Sequence, residues 1–268
     1  MHAPRVSAVR RVTARADAIP QSAVPNSIWE GLYDSFAQAG GDAAFESATW
    51  LDQIASASRT ATAHSGSGYI LSIVAAVLAN RTGTAPLRVL DFGGGLGPTY
   101  FALMEHLGQT ARIDFHVVEN AAVCRRTREV LPSDSRLTFR ETLPAADEHF
   151  DIVHAGSSIQ YVDDWRGLLG RLRAFGSGAM IFADLPAGKI PATTATLQHY
   201  YGSRIPCWLF RLDEFCAAAA RDGYVLTYQA PFRRPYFGRD IPPPMSALPA
   251  AYRLSDFQQL MFVRGARL

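Results

Sequence analysis

The spacing of apolar residues divides the chain into a helical beginning and an alternating remainder. Between Asn26 and Arg81 apolar residues recur at intervals of three and four. Ser27-x-x-Glu30 has the form of a capping box. Ile28, Trp29, Leu32 and Phe36 would share one face of the helix it opens, and Gly40-Gly41 would stop it. Two further helices are predicted, Thr49 to Ala57 and Gly68 to Asn80. Beyond them the pattern changes. Arg88-Val89-Leu90-Asp91 reads as a strand and Pro98 to His106 as a helix. Strands follow at Ile113–Val118, Leu137–Arg140, Phe150–His154, Ala179–Asp184, Tyr224–Tyr228 and Leu260–Arg264, with helices at Ala121–Val130, Trp165–Ala174 and Leu212–Asp222. The last two strands are joined by a Pro-rich stretch containing Pro242-Pro243-Pro244, without a helical pattern. They should form an antiparallel hairpin at the sheet edge. The expected fold class is α/β, a seven-stranded doubly wound sheet. The expected divisions are an arm over 1–26, a helical cap over 27–84 and the sheet domain over 85–268.

The turn after the first of these strands carries the candidate chemistry. Asp91-Phe92-Gly93-Gly94-Gly95-Leu96-Gly97 places four glycines within five positions, which lets a ligand approach the backbone. The next strand ends in Glu119, placed to accept hydrogen bonds from ribose hydroxyls. A dinucleotide fingerprint, Gly-x-Gly-x-x-Gly, fails because its last glycine would fall on Pro98, which weighs against a NAD-linked oxidoreductase. The pattern present, Asp91-x-Gly93-x-Gly95-x-Gly97, resembles the first motif of class I S-adenosylmethionine (SAM) methyltransferases. The seven strands with a reversed terminal hairpin suit that family too. The resemblance implies that the glycine backbone receives the methionine end of SAM and that Asp91 holds its amino group. The cofactor contacts it implies are Asp91, Gly93, Gly94, Gly95, Gly97, Tyr100, Glu119, Asn120, Ser157 and Ser158.

Three segments sharpen the resemblance: Trp29-Glu30-Gly31-Leu32-Tyr33-Asp34-Ser35-Phe36, Leu90 through Phe101, and Ser157-Ser158-Ile159-Gln160-Tyr161. Together they look like a family of bacterial methyltransferases, many encoded among surface-polysaccharide or natural-product genes. Methyltransferase-fold enzymes that cyclise SAM to azetidine-2-carboxylate are similar as well. In many methyltransferases a helical segment before the first strand lies across the cofactor as a lid, and residues 27–84 are expected either to do so here or to pack on one face of the sheet.

The acceptor side is read from residue types. The Asp/Asn-Pro-Pro-aromatic motif of adenine or glutamine methylation is absent after His154, which weighs against nucleic-acid and protein substrates. After Asp184 an insertion brings Gln198, His199, Tyr200, Tyr201, Trp208 and Phe210, suited to a pocket wall whose aromatic faces attract a sulfonium. Tyr161, Gln198, His199 and Tyr201 are the candidate catalytic residues, with His199 as general base. His154, inside a strand, reads as a hydrogen-bonded core histidine. The expected reaction is methyl transfer to a small molecule, a sugar or natural-product precursor, releasing S-adenosylhomocysteine. Cyclisation of SAM with release of methylthioadenosine, and a SAM-binding subunit without turnover, are the alternatives.

Composition narrows the partners. With 268 residues, 48% of them hydrophobic, the chain can bury a full core; its net charge of +2 gives no strong field for nucleic acid or membrane. One lysine, Lys189, among 26 basic residues reflects coding bias more than a binding surface. Arg5, Arg10, Arg11 and Arg15 precede the first acid, Asp17. That composition resembles a presequence, but a simple N-terminal arm is the favoured reading. Three scattered cysteines, Cys124, Cys207 and Cys216, suit a reducing cytoplasm. The longest apolar run, Tyr69 to Ala79, is too short to cross a bilayer, and no paired acids follow Asp184 at metal-ligand spacing.

Overall fold

The first element is a strand, where the spacing predicts a helix. In this computed structural model, which describes residues 25–52, 54, 67–80, 85–200 and 202–265, β1 (Trp29–Tyr33) pairs antiparallel with β8 (Thr194–Tyr200). The Ser27 hydroxyl donates to the Trp29 carbonyl at 2.7 Å and caps nothing. Gly31 sits at φ +71° inside a bulge between Glu30 and Tyr33. Trp29 explains the outcome: it is 1% exposed and packs edge-on against Tyr236 and Phe257 from the far end of the chain. A cap contributes about 0.5–2 kcal/mol, whereas burying a large apolar side chain contributes about 1.5–3 kcal/mol and here comes with a strand ladder as well. Only a single helical turn, α1 (Phe36–Ala39), survives of the expected helix, capped by the Ser35 hydroxyl. The second expected helix is present over 48–52 and at 54; the remainder of its span lies outside the described residues.

α2 (Ser67–Ala79), close to expectation, packs on the main sheet beside α3 (Pro98–Leu107). It is therefore a layer of the sandwich and no lid. The sheet runs β10 (Tyr224–Phe232), β11 (Phe257–Arg264), β6 (Ala179–Leu185), β5 (Ile152–Gly156), β2 (Leu87–Phe92), β3 (Ile113–Val118), β4 (Leu137–Arg140). The five strands from β6 to β4 are parallel, and β11 and β10 are antiparallel. Central strands are buried on both sides, so their sequences are almost continuously apolar. All seven residues of β6 are buried. Leu87, Val89 and Ile181 pack under α2 and α3. Leu90, Val153 and Phe182 join the opposite core under α5 (Trp165–Ala174) and α6 (Leu212–Ala219). α4 (Ala121–Val130) connects β3 to β4.

The expected insertion after Asp184 forms a second sheet, ordered β1, β8, β9 (Ser203–Arg211), β7 (Ala187–Gly188). Strands β8 and β9 are a hairpin, and β1 closes its outer edge. This sheet packs on the connection after β10 through Trp29, Leu209, Phe232, Tyr236 and Met245. The N-terminal segment and the insertion are thus one structural unit, set above the carboxyl end of the main sheet.

Candidate functional site

The glycine turn has the backbone its residues require. Gly93, Gly95 and Gly97 adopt φ values of +69°, +57° and +78°, conformations that an L side chain adopts only with strain. A Cβ on Gly94 would fall 2.5 Å from Asp91 Oδ2, and one on Gly93 2.4 Å from the Ser158 Cβ. Beside Gly95 there is open space. Gly97 caps α3, with Pro98 in its first turn.

Asp91, next to last in β2, is fully buried. His154 Nδ1, on the neighbouring strand, donates to its Oδ1 at 2.7 Å. Asp91 Oδ2 has no partner, nor does the buried Ser158 hydroxyl. Glu119 at the end of β3 accepts from the Gly95 N–H (3.1 Å) and the Asn120 N–H (2.9 Å). Burial pushes its carboxyl above the usual range, the two N–H groups draw it back, and the nearby Asp91 adds to the rise. Asn120 caps α4 through its Oδ1, and its Nδ2 donates to the Phe45 carbonyl at 3.1 Å.

A cavity of about 460 Å³ opens here, within the range of small-ligand sites. Its floor is Phe92, Gly93, Val118 and Glu119, and its far wall is Ser157, Ser158, Tyr161 and Val162. Its roof comes from the N-terminal segment: Ala43, Phe45, Glu46 and Trp50. Trp50 anchors that roof on Leu96 of the glycine turn and Val123 of α4. Glu141 completes the wall. Phe45, Trp50 and Glu141 were not singled out in the sequence, and no local motif marks them. A larger cavity, about 690 Å³ and lined by Lys189, Arg211 and Cys216, contains none of the glycine-turn or strand-end groups.

The acceptor-side residues are brought together only in part. The Tyr161 hydroxyl donates to Gln198 Oε1 at 2.7 Å, and its ring meets Phe45 at 4.9 Å. Gln198 is 3% exposed and reaches the cavity through Tyr161. His199 corrects the expectation of a general base. Strand alternation turns it to the other face of β8, where it is half exposed and pairs with Glu30 at 2.9 Å. Tyr201 lies outside the described residues. Trp208 and Phe210 are core: Trp208 stacks on Phe36 and donates to the carbonyls of Val162 and Asp163, and Phe210 packs against Trp165 and Phe215. Tyr100 also departs from expectation. Its ring is buried beneath α3 against Phe115, and its hydroxyl donates to Asp134 at 2.5 Å, away from the cavity.

Two neighbouring strand ends are strained. Ser157 and Asp184, neither a glycine, have φ of +50° and +51° at the ends of β5 and β6; such outliers cluster at functional sites. Gln160 donates to the Ser157 hydroxyl at 3.3 Å. Burial pushes the Asp184 carboxyl up, while Arg234 and the Ser157 hydroxyl partly hold it down. Arg234 arrives from the connection after β10, its Nε 3.6 Å from Asp184 Oδ1. The sequence offered no signal for that pairing across 50 residues. Among the described residues no group of three His, Cys, Asp or Glu side chains could hold a metal, and no helix is long and apolar enough to cross a membrane.

The residues present fit SAM. Asp91 Oδ2 and Ser158 Oγ are orphaned acceptors beside a glycine cradle, and Glu119 is held at the cavity wall by backbone groups. No curated protein matches the chain in sequence. Among solved structures, the protein bound to the Trm112 methyltransferase activator of Haloferax volcanii is 14% identical. That match covers 81% of this chain and 97% of the other at a TM-score of 0.51, and it supports the fold. The glycopeptide N-methyltransferase MtfA complexed with SAM is 19% identical over 72% of this chain and 93% of its own, TM-score 0.47. Magnesium protoporphyrin IX methyltransferase from Synechocystis PCC 6803, with bound S-adenosylhomocysteine, is 13% identical over 74% and 83%, TM-score 0.45. The family model described as a methyltransferase domain matches residues 63–229, which span the glycine turn, Glu119 and both strained strand ends. The chain therefore belongs to the methyltransferase domain family and is a SAM-dependent transferase with the class I fold.

Proposed function

We propose that this protein methylates a small molecule, a sugar or natural-product precursor, and releases S-adenosylhomocysteine. One observation carries the reading. A cavity of about 460 Å³ holds unpartnered Ser158 beside Glu119 and the glycine turn under an aromatic roof, a space suited to a cofactor and a compact acceptor. Bound SAM supplies an electrophilic methyl carbon on a good leaving group. The chain's own part is positioning and exclusion of water. Asp91, fixed by His154, and Ser158 offer acceptors for an ammonium. Glu119 offers acceptors for hydroxyls, and Phe45 and Trp50 cover the opening. Tyr161, locked by Gln198, orients the nucleophile. The three cysteines are free thiols, which suits a reducing cytoplasm.

A second reading, cyclisation of SAM to azetidine-2-carboxylate, is favoured by one feature. Phe45 packs edge-on against both Trp50 and Tyr161 over the cavity, and such an aromatic cover suits a reaction that needs a folded methionine chain and excluded water but no acceptor. Incubating the purified protein with SAM alone separates the two. Methyl transfer predicts that SAM stays largely intact until an acceptor is added and then yields S-adenosylhomocysteine. Methylthioadenosine above the spontaneous rate, with one equivalent of azetidine-2-carboxylate, overturns that reading in favour of cyclisation.

A further inference from the structure

The two strained strand ends carry a pair of side chains that cofactor binding leaves without a task. β5 and β6 run parallel with Gly156 opposite Ala183, so Ser157 and Asp184 follow side by side at the carboxyl ends. The Ser157 N–H donates to the Ala183 carbonyl at 2.9 Å and fixes that adjacency. Both residues hold positive φ without being glycine, a strain that the surrounding structure has to sustain.

Ser157 lines the cavity of about 460 Å³, and Asp184 is buried beside it at 5% exposure. Gln160 Nε2 donates to Ser157 Oγ at 3.3 Å. The hydroxyl's own proton is therefore free for the Asp184 carboxylate, with which it interacts. One lone pair of Oγ then remains for a donor inside the cavity. Asp184 Oδ1 accepts no hydrogen bond, because Arg234 Nε, 3.6 Å away, is beyond reach of one. An ion pair this loose supports the carboxylate charge and still leaves an oxygen open to a proton. The other groups around Asp184 are few. Tyr236 arrives with Arg234 from the connection after β10, β11 sets the uncharged Gln258 opposite Leu185, and His154 of β5 is turned to Asp91.

We infer that Asp184, acting through Ser157, is the positioning residue that takes up the acceptor's proton during methyl transfer. The inference rests on the methyl-transfer reading and assigns the acceptor's nucleophile as a hydroxyl, which has a proton to lose. The hydroxyl oxygen bonds the methyl carbon while the carbon–sulfur bond breaks and leaves its electron pair on sulfur. The hydroxyl proton passes to Ser157 Oγ as the Ser157 proton passes to Asp184, which gives it to solvent as the products leave. The charges match this order. A positive sulfonium in the cavity favours the Asp184 carboxylate before transfer, and the neutral thioether left afterwards favours the carboxylic acid. Burial already pushes this carboxyl upward, so both forms are within reach.

Calorimetric titration with SAM and with S-adenosylhomocysteine over a range of pH tests this, since the two ligands differ by one methyl group and one positive charge. The ratio of SAM affinity to S-adenosylhomocysteine affinity should rise at least about tenfold as pH rises through the titration of Asp184. SAM should also release more protons on binding, read from the heats in two buffers of different ionisation enthalpy. Asp184→Asn should flatten the ratio and abolish the excess release. Its affinity for S-adenosylhomocysteine at acid pH, where Asp184 is protonated, should match the wild type and exclude misfolding. In Ser157→Ala the carboxylate loses a donor, so the midpoint of the rise should move to higher pH. A ratio independent of pH in the wild type overturns the inference. So does an Asp184→Asn profile like the wild type's, or an unmoved midpoint in Ser157→Ala. Methylthioadenosine formed from SAM alone would instead end the methyl-transfer reading, and the hydroxyl acceptor with it, whatever the affinity ratio does.

Discussion

Two carboxylate–histidine pairs of nearly equal length mark the extremes of burial among the described residues, Asp91 with His154 at 2.7 Å and Glu30 with His199 at 2.9 Å, and a third, Asp114 with His116 at 2.8 Å, lies between them. The first is sealed between adjacent central strands, with side chains 1% and 2% exposed. The second stands in solvent on the insertion sheet, with both side chains more than 40% exposed. By residue type His199 is the better base candidate, being free of a core strand. By position it is excluded, because β8 turns Gln198 toward the cavity region and His199 away from it. Burial decides which pair matters. In water such a contact contributes little, while in a dry site losing one partner leaves the other's polar group without a hydrogen bond.

The largest effect should come from Asp91→Ala. Leaving the His154 ring N–H unpaired in the core should lower stability by about 1–3 kcal/mol, a fall in melting temperature of about 3–10 °C for a domain of this size. SAM binding should drop below detection by calorimetry. A variant that melts and binds like the wild type would make the buried pair no more important than the exposed one.

Glu119 sharpens the comparison, since its carboxyl is buried without a cationic partner. Its folded-state pKa is raised above the ordinary value of 4.5. The associated stability is fully present below that value and is lost as pH rises through the higher folded-state one. Glu119→Gln cannot ionise and should lose less stability than the wild type between acid and neutral pH. Its SAM affinity should fall about tenfold or more with the loss of a charge-assisted hydrogen bond. Melting curves at several pH values, paired with calorimetry, read both effects; parallel pH profiles for the two proteins would refute the assignment.

The smallest effect should be that of His199→Ala. Loss of the exposed pair with Glu30 should change stability by about 0.2–1 kcal/mol, with SAM affinity and turnover unchanged. A tenfold loss of turnover would return His199 to the site and reverse the reading of β8.

The legible parts of the fold are those in which neighbours in sequence are neighbours in space. β3, β4, α4 and α5 have their expected limits to the residue. Each carries its own period of two or 3.6, and each is closed by a cap or a turn. The gathering of Gly93 and Glu119 at one cavity was also legible, because a glycine turn and the acid ending the next strand are local features of one βαβ unit. Tyr100 is the exception: the resemblance implied it as a cofactor contact, yet α3 rotates it into the core. The roof residues Phe45 and Trp50 and the Asp184–Arg234 pair gave no such signal, since their partners come from distant parts of the chain.

The amino-acid sequence by itself determined the alternation of strands and helices in the main sheet, the reversed terminal hairpin and the glycine-lined turn after β2. Local periodicity and glycine stereochemistry are sufficient for those. Only the tertiary structure decided that Trp29 would enter a strand, that the insertion would form a sheet with it, and which side of β8 would face Tyr161. Those choices depend on burying aromatic surface contributed by residues as far apart as Trp29 and Phe257. Long-range burial of that kind outweighs a cap or a helical spacing once the two ends of the chain have met.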